Sequence, residues 1–592
     1  MPEKLKICAY SNCEKSVNSL YDEEHCLFHS PKDKKGISVE VFNKLIFAQI
    51  KRKDFNFKGY IFPGEIVFPR GEEAPFIGNA KFRGAYFSGN VKFAGVQFSG
   101  YADFREAQFS GYADFRATQF SRMAVFNKAK FFRIVAFNKA KFIGDADFLF
   151  SQFSSRALFK QADFLEGVNF DSAQFYKSAE FIESQFSKPA LFHKVKFLHD
   201  AEFKNTTFHD EATFNQSRFS ADAVFNEVKF TKEANFTNVL FSGETTFEKL
   251  TIFSSVHFLR LNLTSSCIFK IISPKFTYFN SHNTVIEFSH VVFNPDKTFF
   301  EDFSKRSTDD NFENNVIVLF RYCMLKDVFF SHNDLGMFSF FNSTFDQARF
   351  ISNNWQNEKS RWSPFYKRRN ILLDEVLYNR LKNMLPIQRK KFEKDYKLEH
   401  LESYDSIAAL YRRMKTSLDN TKDYFEAGWF YYNELEMKRL MLLDTIHNKS
   451  FFESIPERLQ YRFYGLYKLF SGYGEKPLRS FIWFWLFAVL FFPIIHGFNG
   501  LGVKLESGKI LNINYDFSKI EAIFNPPFWQ DFLYSIVFSL YHIIPFNLLP
   551  LDKNIFFPSG PEGMLWSFLN TGVLLTLLLL SGLGLKRHFK RF

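Results

Sequence analysis

The chain has 592 residues, 85 of them Phe, with 75 Lys and Arg against 63 Asp and Glu for a net charge of +12. That length exceeds one hydrophobic core and calls for several folded units, and so extreme a Phe content marks a repeat. The positive balance admits an anionic membrane surface or nucleic acid as partner. The start, MPEKLKICAYSNCEK, lacks the apolar core of a signal peptide, so the amino-terminal part is expected to stay in a reducing cytoplasm.

The first 36 residues hold one clear ligand cluster. Cys8 and Cys13 form a C-x4-C pair, twelve residues follow, and Cys26 and His29 form C-x2-H. Four soft or borderline ligands in two close pairs suit tetrahedral zinc, and so short a segment has too little core to fold without it. His25 competes, but its neighbour Cys26 leaves the better spacing to His29. Residues 37–53, containing SVEVFNKLIFAQIKRK, read as a helix with Ser38 as N-cap, placed to cover the open end of whatever follows.

Residues 54–353 are governed by a beat. From Phe76 to Phe247 a Phe recurs at gaps that alternate five and six, as at Phe104, Phe109, Phe115 and Phe120. A helix needs a period near 3.6 and a strand near 2, so neither continuous element fits. A solenoid does, with each gap one short face of a coil and each Phe pointing to the axis. Two residues before each Phe stands a small residue, as at Ala102, Ala107, Ala113 and Ala124, elsewhere Val, Ser or Thr. Side chains two apart share a face of an extended segment, so the small residue and the Phe enter the core together. The positions between, Arg105 and Asp114 among them, are expected to face water. A strict five-residue register follows at Phe320, Leu325, Phe330, Leu335, Phe340, Phe345 and Phe350, after an irregular insertion expected at about 294–315.

A central Phe or Leu, a small residue two before it and polar residues elsewhere resemble the pentapeptide-repeat family. The resemblance implies a mainly β fold, a right-handed quadrilateral β-helix with four repeats per coil. The N-terminal cluster resembles small zinc modules that precede some domains of this family. Members that mimic DNA and bind gyrase need an acidic rod. Residues 76–300 carry 26 Lys and Arg against 21 Asp and Glu, which disfavours that role and nucleic acid as a partner alike.

Residues 361–475 change to a helical period. Ala408, Tyr411, Met414 and Leu418 line one face, and Ala427, Phe430, Tyr431, Leu435 and Leu440 another, with the turn LDNTKD between. This hairpin resembles the helical segment joining repeats to membrane helices in membrane-anchored members of the family. Residues 476–592 hold two apolar stretches, about 480–498 and 564–585, each long enough to cross a bilayer core. Lys476 and Arg479 precede the first and KRHFKRF follows the second, so the positive-inside rule puts both termini in the cytoplasm, as in a multi-pass protein of the inner (cytoplasmic) cell membrane.

Between the two lies a third apolar stretch, 528–550, too short to span and long enough to re-enter. Helix, re-entrant segment, helix resembles the two-helix pore domain of the potassium-channel superfamily. That resemblance implies a homo-oligomer, a tetramer by analogy, with His542, Pro545, Phe546, Asn547, Leu548 and Leu549 lining the pore. The family's filter is Gly-rich and ends in an acid, whereas HIIPFNLLP has neither, so potassium selectivity is not expected. Two function classes follow. One is a regulated membrane pore whose cytoplasmic solenoid receives an unknown protein or ligand, and the other is a non-conducting membrane-tethered scaffold. No phosphate loop, nucleophile elbow or His-Glu metal motif points to an enzyme.

Overall fold

The structure is a computed structural model. It describes residues 7–10, 13–16, 22–70, 76–263, 265, 267–270, 284–291, 293, 298–301, 316–345, 347–357, 370–395, 403–505, 507–515, 526–541, 543 and 556–589. The chain divides into two compact units, Met1–Glu402 and Ser403–Phe592.

In the first unit the Phe beat becomes a four-sided β-solenoid of about 11 turns. Its faces are four parallel sheets of 10, 8, 12 and 13 strands, most strands only two residues long. Coils stack in register 22 residues apart, Ala80 beside Ala102 and Ala102 beside Ala124. Each Phe therefore lies over its counterpart one coil away. Phe82, Phe104, Phe126, Phe148 and Phe170 form one column with ring centroids 4.7–4.9 Å apart. Columns meet edge to face across the axis, as Phe104 meets Phe115 at 5.6 Å, an arrangement that suits the ring quadrupoles. The paired Ala residues are buried, because only a small side chain fits beside two such columns.

The alternation of five and six has a backbone cause. After Phe104 the chain makes a tight turn in which the Ala107 N–H donates to the Phe104 carbonyl, with Glu106 left-handed at φ 59°. The same conformation recurs every eleven residues, at Ala117, Lys128, Lys139, Phe150 and onward. The corner after Phe109 spends one more residue and contains no positive φ. Tight left-handed corners take five residues and wider corners take six.

Not every intervening polar residue faces water. Asp103 and Asp114 are buried, each holding its neighbour two residues on in a two-pronged ion pair, Arg105 at 2.7–2.8 Å and Arg116 at 2.8–2.9 Å. Each Asp Oδ1 also accepts the backbone N–H of that Arg, so the carboxylate folds inward against the strand end while the guanidinium reaches solvent. Where Ser or Thr replaces the inward Ala, its hydroxyl donates to a Phe carbonyl one coil back, as Thr118 to Phe93 and Ser151 to Phe126, both at 2.8 Å.

Helix α1 (Val39–Lys51) covers the first coils. Ser38 caps it through Val41 N–H, and Phe42 packs on Phe62. At the other end the register shortens to 20 residues, Phe330 beside Phe350, and α2 (Leu373–Lys382) packs on the last coils. Its buried Asp374 accepts hydrogen bonds from Ser339 Oγ and Phe340 N–H. Helix α3 (Pro386–Asp395) follows. The irregular insertion expected at 294–315 is corrected in part. Thr298–Glu301 is a strand of the fourth sheet, and Phe300 stacks between Phe269 and Phe330, because the FF pair keeps the inward position. Residues 302–315 lie outside the described residues.

The second unit is helical. Helices α4 (Tyr404–Asn420) and α5 (Tyr424–Asn448) form the hairpin, with Ala408, Tyr411, Met414 and Leu418 buried as the period requires and Tyr431 and Leu440 only half-buried. Helix α6 (Ile455–Ser471) leads through a Gly-Tyr-Gly turn into α7 (Pro477–Asn499). Helices α8 (Pro526–Tyr541) and α9 (Pro561–Phe589) complete the unit. A three-stranded antiparallel sheet of Leu501–Lys504, Ile510–Ile513 and Phe556–Pro558 ties the end of α7 to the start of α9. The amino-acid sequence does not announce these strands, since segments of three or four residues carry no periodic signal.

Candidate metal centre and membrane segment

Cys8, Cys13, Cys26 and His29 converge, their ligand atoms all within 4.8 Å of one another. Cys13 Sγ lies 3.8 Å from Cys26 Sγ, and His29 Nδ1 lies 3.4 and 3.1 Å from Cys8 and Cys26 Sγ. Four ligands at metal–sulfur and metal–nitrogen distances of about 2.0–2.3 Å in a tetrahedron leave edges of about this length, so the donor set fits a metal ion. His25 instead faces Asp22, and His29 is the histidine that stands with the three thiols.

The fold orients the histidine. His29 Nε2–H donates to the Lys58 carbonyl at 2.9 Å, which turns the Nδ1 lone pair towards the thiols. Tyr10 stacks on the imidazole at 4.1 Å and Tyr60 meets its edge. Burial holds the His29 pKa below its ordinary value, keeping the ring neutral, and burial pushes the Cys26 thiol up to about 12. A cation would reverse the second effect, and its binding would release thiol protons.

The cluster is seated on the solenoid's first coil. Ile61 N–H donates to the Phe28 carbonyl, Lys15 Nζ donates to Tyr60 Oη at 2.6 Å, and the Tyr10 ring lies over Gly59. Gly59 is left-handed at φ 68°, and a Cβ there would stand 2.0 Å from the Tyr10 ring. No side chain but hydrogen fits. Cys267 and Cys323 are buried apart from this site, the Cys323 thiol pushed up to about 12 by burial, as inert core residues should be.

In the second unit α7 and α9 are long and apolar enough to cross a membrane, with mean hydropathies of 2.0 and 1.9. They pack through Phe484, Ala488, Phe492, Leu574 and Leu577 and leave Phe481, Ile482, Leu490, Phe568, Leu579 and Leu583 exposed. The shorter α8 packs against α7, and Phe538 meets His496 edge-on at 4.8 Å. Its last turn is tied to α9 by a polar pair that the sequence does not announce. Asn570 Nδ2 donates to the Ser539 carbonyl at 3.0 Å, and Ser539 Oγ donates back to Asn570 Oδ1 at 3.1 Å. A lone Asn in an apolar helix was the available signal. Of the pore-lining positions, His542, Pro545, Phe546, Asn547, Leu548 and Leu549 lie outside the described residues.

A third arrangement links α5, α6 and the turn before α7. Buried Glu436 accepts from Arg439 Nη2 at 2.8 Å, Lys468 Nζ at 2.9 Å and Tyr473 Oη at 2.8 Å. Burial alone would raise this carboxyl's pKa, but Arg439 and Lys468 outweigh it and hold the group at about 2.

Solenoid, cysteine cluster and apolar helices thus define a repeat protein with a candidate metal module and a candidate membrane segment. A family model for pentapeptide repeats, described as nine copies, matches residues 72–119, 137–185 and 181–229. The regular coils are therefore pentapeptide repeats. No curated protein and no solved structure matches the chain.

Proposed function

We propose that the chain is a channel-like protein of the inner membrane, with both termini cytoplasmic and its solenoid acting as a sensor or docking rod for a cytoplasmic protein or ligand. The observation that carries this reading is the pairing of two span-length apolar helices with a helix too short to span. Ser539 and Asn570 hold the end of that helix against α9. Irregular backbone at membrane depth needs protein or water around it, so a pore on this plan is built by several copies, four by analogy. The run Pro545–Pro550 has neither Gly nor acid, so the pore is read as nonselective or hydrophobically gated and not potassium-selective. No catalytic role is proposed.

Planar-bilayer recording of the purified protein tests this directly. Conductance that rises when Phe546 or Leu548 becomes Ser supports the pore. Silence in both forms, with the protein still oligomeric and membrane-bound, leaves the second reading, a non-conducting tethered scaffold. The apolar run at the tip favours that alternative.

The N-terminal cluster is proposed as a zinc site. Cys8, Cys13, Cys26 and His29 would hold the ion, which would supply the cross-link that a segment this small lacks. Elemental analysis is expected to find one zinc per chain, absent once Cys8 and Cys13 are both Ser. Gly59→Ala is expected to weaken zinc retention against a chelator, because it unseats Tyr10 from His29 without touching a ligand.

A further inference from the structure

Helix α6 precedes the first span and is only half-partnered. Ile455, Leu459, Phe463, Leu466 and Leu469 recur at spacings of three and four, which puts them on one stripe. All five are exposed, Leu459 at 63% and Phe463 at 67%, and Phe451 and Phe452 in the turn just before are exposed as well. The opposite face carries the helix's half-buried partners. Arg439 of α5 lies over Tyr461 at 4.9 Å, Tyr464 and Tyr467 pack around Tyr473, and Lys468 reaches Glu436. The stripe therefore points away from the helical hairpin.

Two observations identify what covers it. The first is continuity. At the end of α6, Phe470 packs on Trp483 and Phe487 of α7, so the stripe runs up to the exposed Leu478, Phe481 and Ile482 of the span. The second is charge. Arg458 stands at the edge of the stripe and Arg462 on it, three residues after Leu459, and residues 455–479 hold five cations against Glu457 and Glu475. Arg458 lays its guanidinium 4.8 Å over the Phe451 ring, the posture of a cation bordering an apolar surface.

From this we infer that α6 lies in the surface of an anionic bilayer. Its apolar stripe sits among the upper acyl chains and its arginines among lipid phosphates. The inference rests on the membrane reading of α7 and α9. It adds a second lipid contact, parallel to the surface, that fixes the height at which the helical hairpin stands.

Spin labels on the full-length protein in vesicles of phosphatidylcholine and phosphatidylglycerol test it. Single cysteines replace Leu459 and Phe463 on the stripe, Gln460 beside it, and Leu579 on α9 as the reference for a span. Labelled wild-type protein sets the background from the native cysteines. At 459 and 463, collisions with oxygen are expected to exceed those with a water-soluble nickel chelate several-fold, at a depth shallower than at 579. Position 460 should show the reverse. Nickel access at 459 and 463 equal to that at 460 would overturn the inference, as would shielding from both reagents, the signature of a second protein copy. Nickel access at 579 would instead remove the membrane reading, and this inference with it.

Discussion

In the solenoid, Phe104 touches Phe82 above and Phe126 below at 4.9 Å, and the next coil repeats the contact. In the helical unit, Glu436 gathers three unlike donors, Arg439 from its own helix, Lys468 from α6 and Tyr473 from the turn beyond. The first unit spreads its stability over many equivalent apolar contacts, each repeat leaning only on its neighbours. The second fixes the packing of its helices with a few polar anchors whose loss has no substitute. A comparison of that kind is broken by substitutions that should hurt one unit and spare the other.

The largest effect belongs to the columns. Phe104→Ala, Phe148→Ala and Phe192→Ala each remove a fully buried ring from a stack and are expected to cost about 3–5 kcal/mol. The three costs should be similar, since the three sites are equivalent. Denaturant unfolding followed by the solenoid's β signal checks this, and a tenfold spread among the three equilibrium constants would count against equivalence.

Next comes Glu436→Gln, which removes a charge from a buried net of donors and is expected to cost about 2–3 kcal/mol. Its pH dependence has a definite sign. The folded carboxyl titrates at about 2, below its ordinary value of 4.5, so folding favours the ionised form. That stability is fully present above pH about 4.5 and is lost as pH falls towards 2. The gap between wild type and Glu436→Gln in thermal unfolding of the helices should therefore shrink steadily over that window. A constant gap would mean that the carboxylate is not the anchor.

A smaller effect is expected at Asn570. Polar pairs between apolar helices contribute about 0.6 kcal/mol on average. A double-mutant cycle of Asn570→Leu and Ser539→Ala in detergent should return a coupling of about that size. Zero coupling would detach α8 from α9 as a designed contact.

These cases also mark what could be read from the chain. The columns were legible because Phe returns on a beat that no helix or strand produces, and Ser38 and the Cys-Cys-Cys-His spacing were legible because caps and metal ligands have local grammar. Asp114 was not. One Asp in a polar position looks solvated, and its burial depends on Arg116 folding back over it, a matter of side-chain geometry that spacing does not carry. Glu436 was hidden for the same reason, its partner Lys468 lying 32 residues away on another helix. In the small sheet between α7 and α9, Phe556–Pro558 pairs with Leu501–Lys504 from more than fifty residues away, and such a pairing leaves no periodic trace.

The smallest effect has the opposite sign, and it falls two residues from the largest. Phe150 sits at a tight corner with φ 57° and its ring about half exposed. A bulky residue there bears the steric cost of the left-handed region, of order 1 kcal/mol, and its exposed ring recovers little by burial. Asn238 occupies the same corner four coils on at φ 56°, and Asn205 the opposite tight corner at φ 57°. Asn tolerates this conformation better than other non-glycine residues and, unlike Gly, adds little freedom to the unfolded chain. Phe150→Asn is therefore expected to raise stability by about 0.5 kcal/mol, seen as a small upward shift of the solenoid's thermal midpoint. Phe148→Asn, whose ring points into the column, should unfold the same coils. If Phe150→Asn instead destabilised the protein as much as a column substitution does, the corner ring would be part of the core. The distinction between inward beat and outward corner would then fail at this coil.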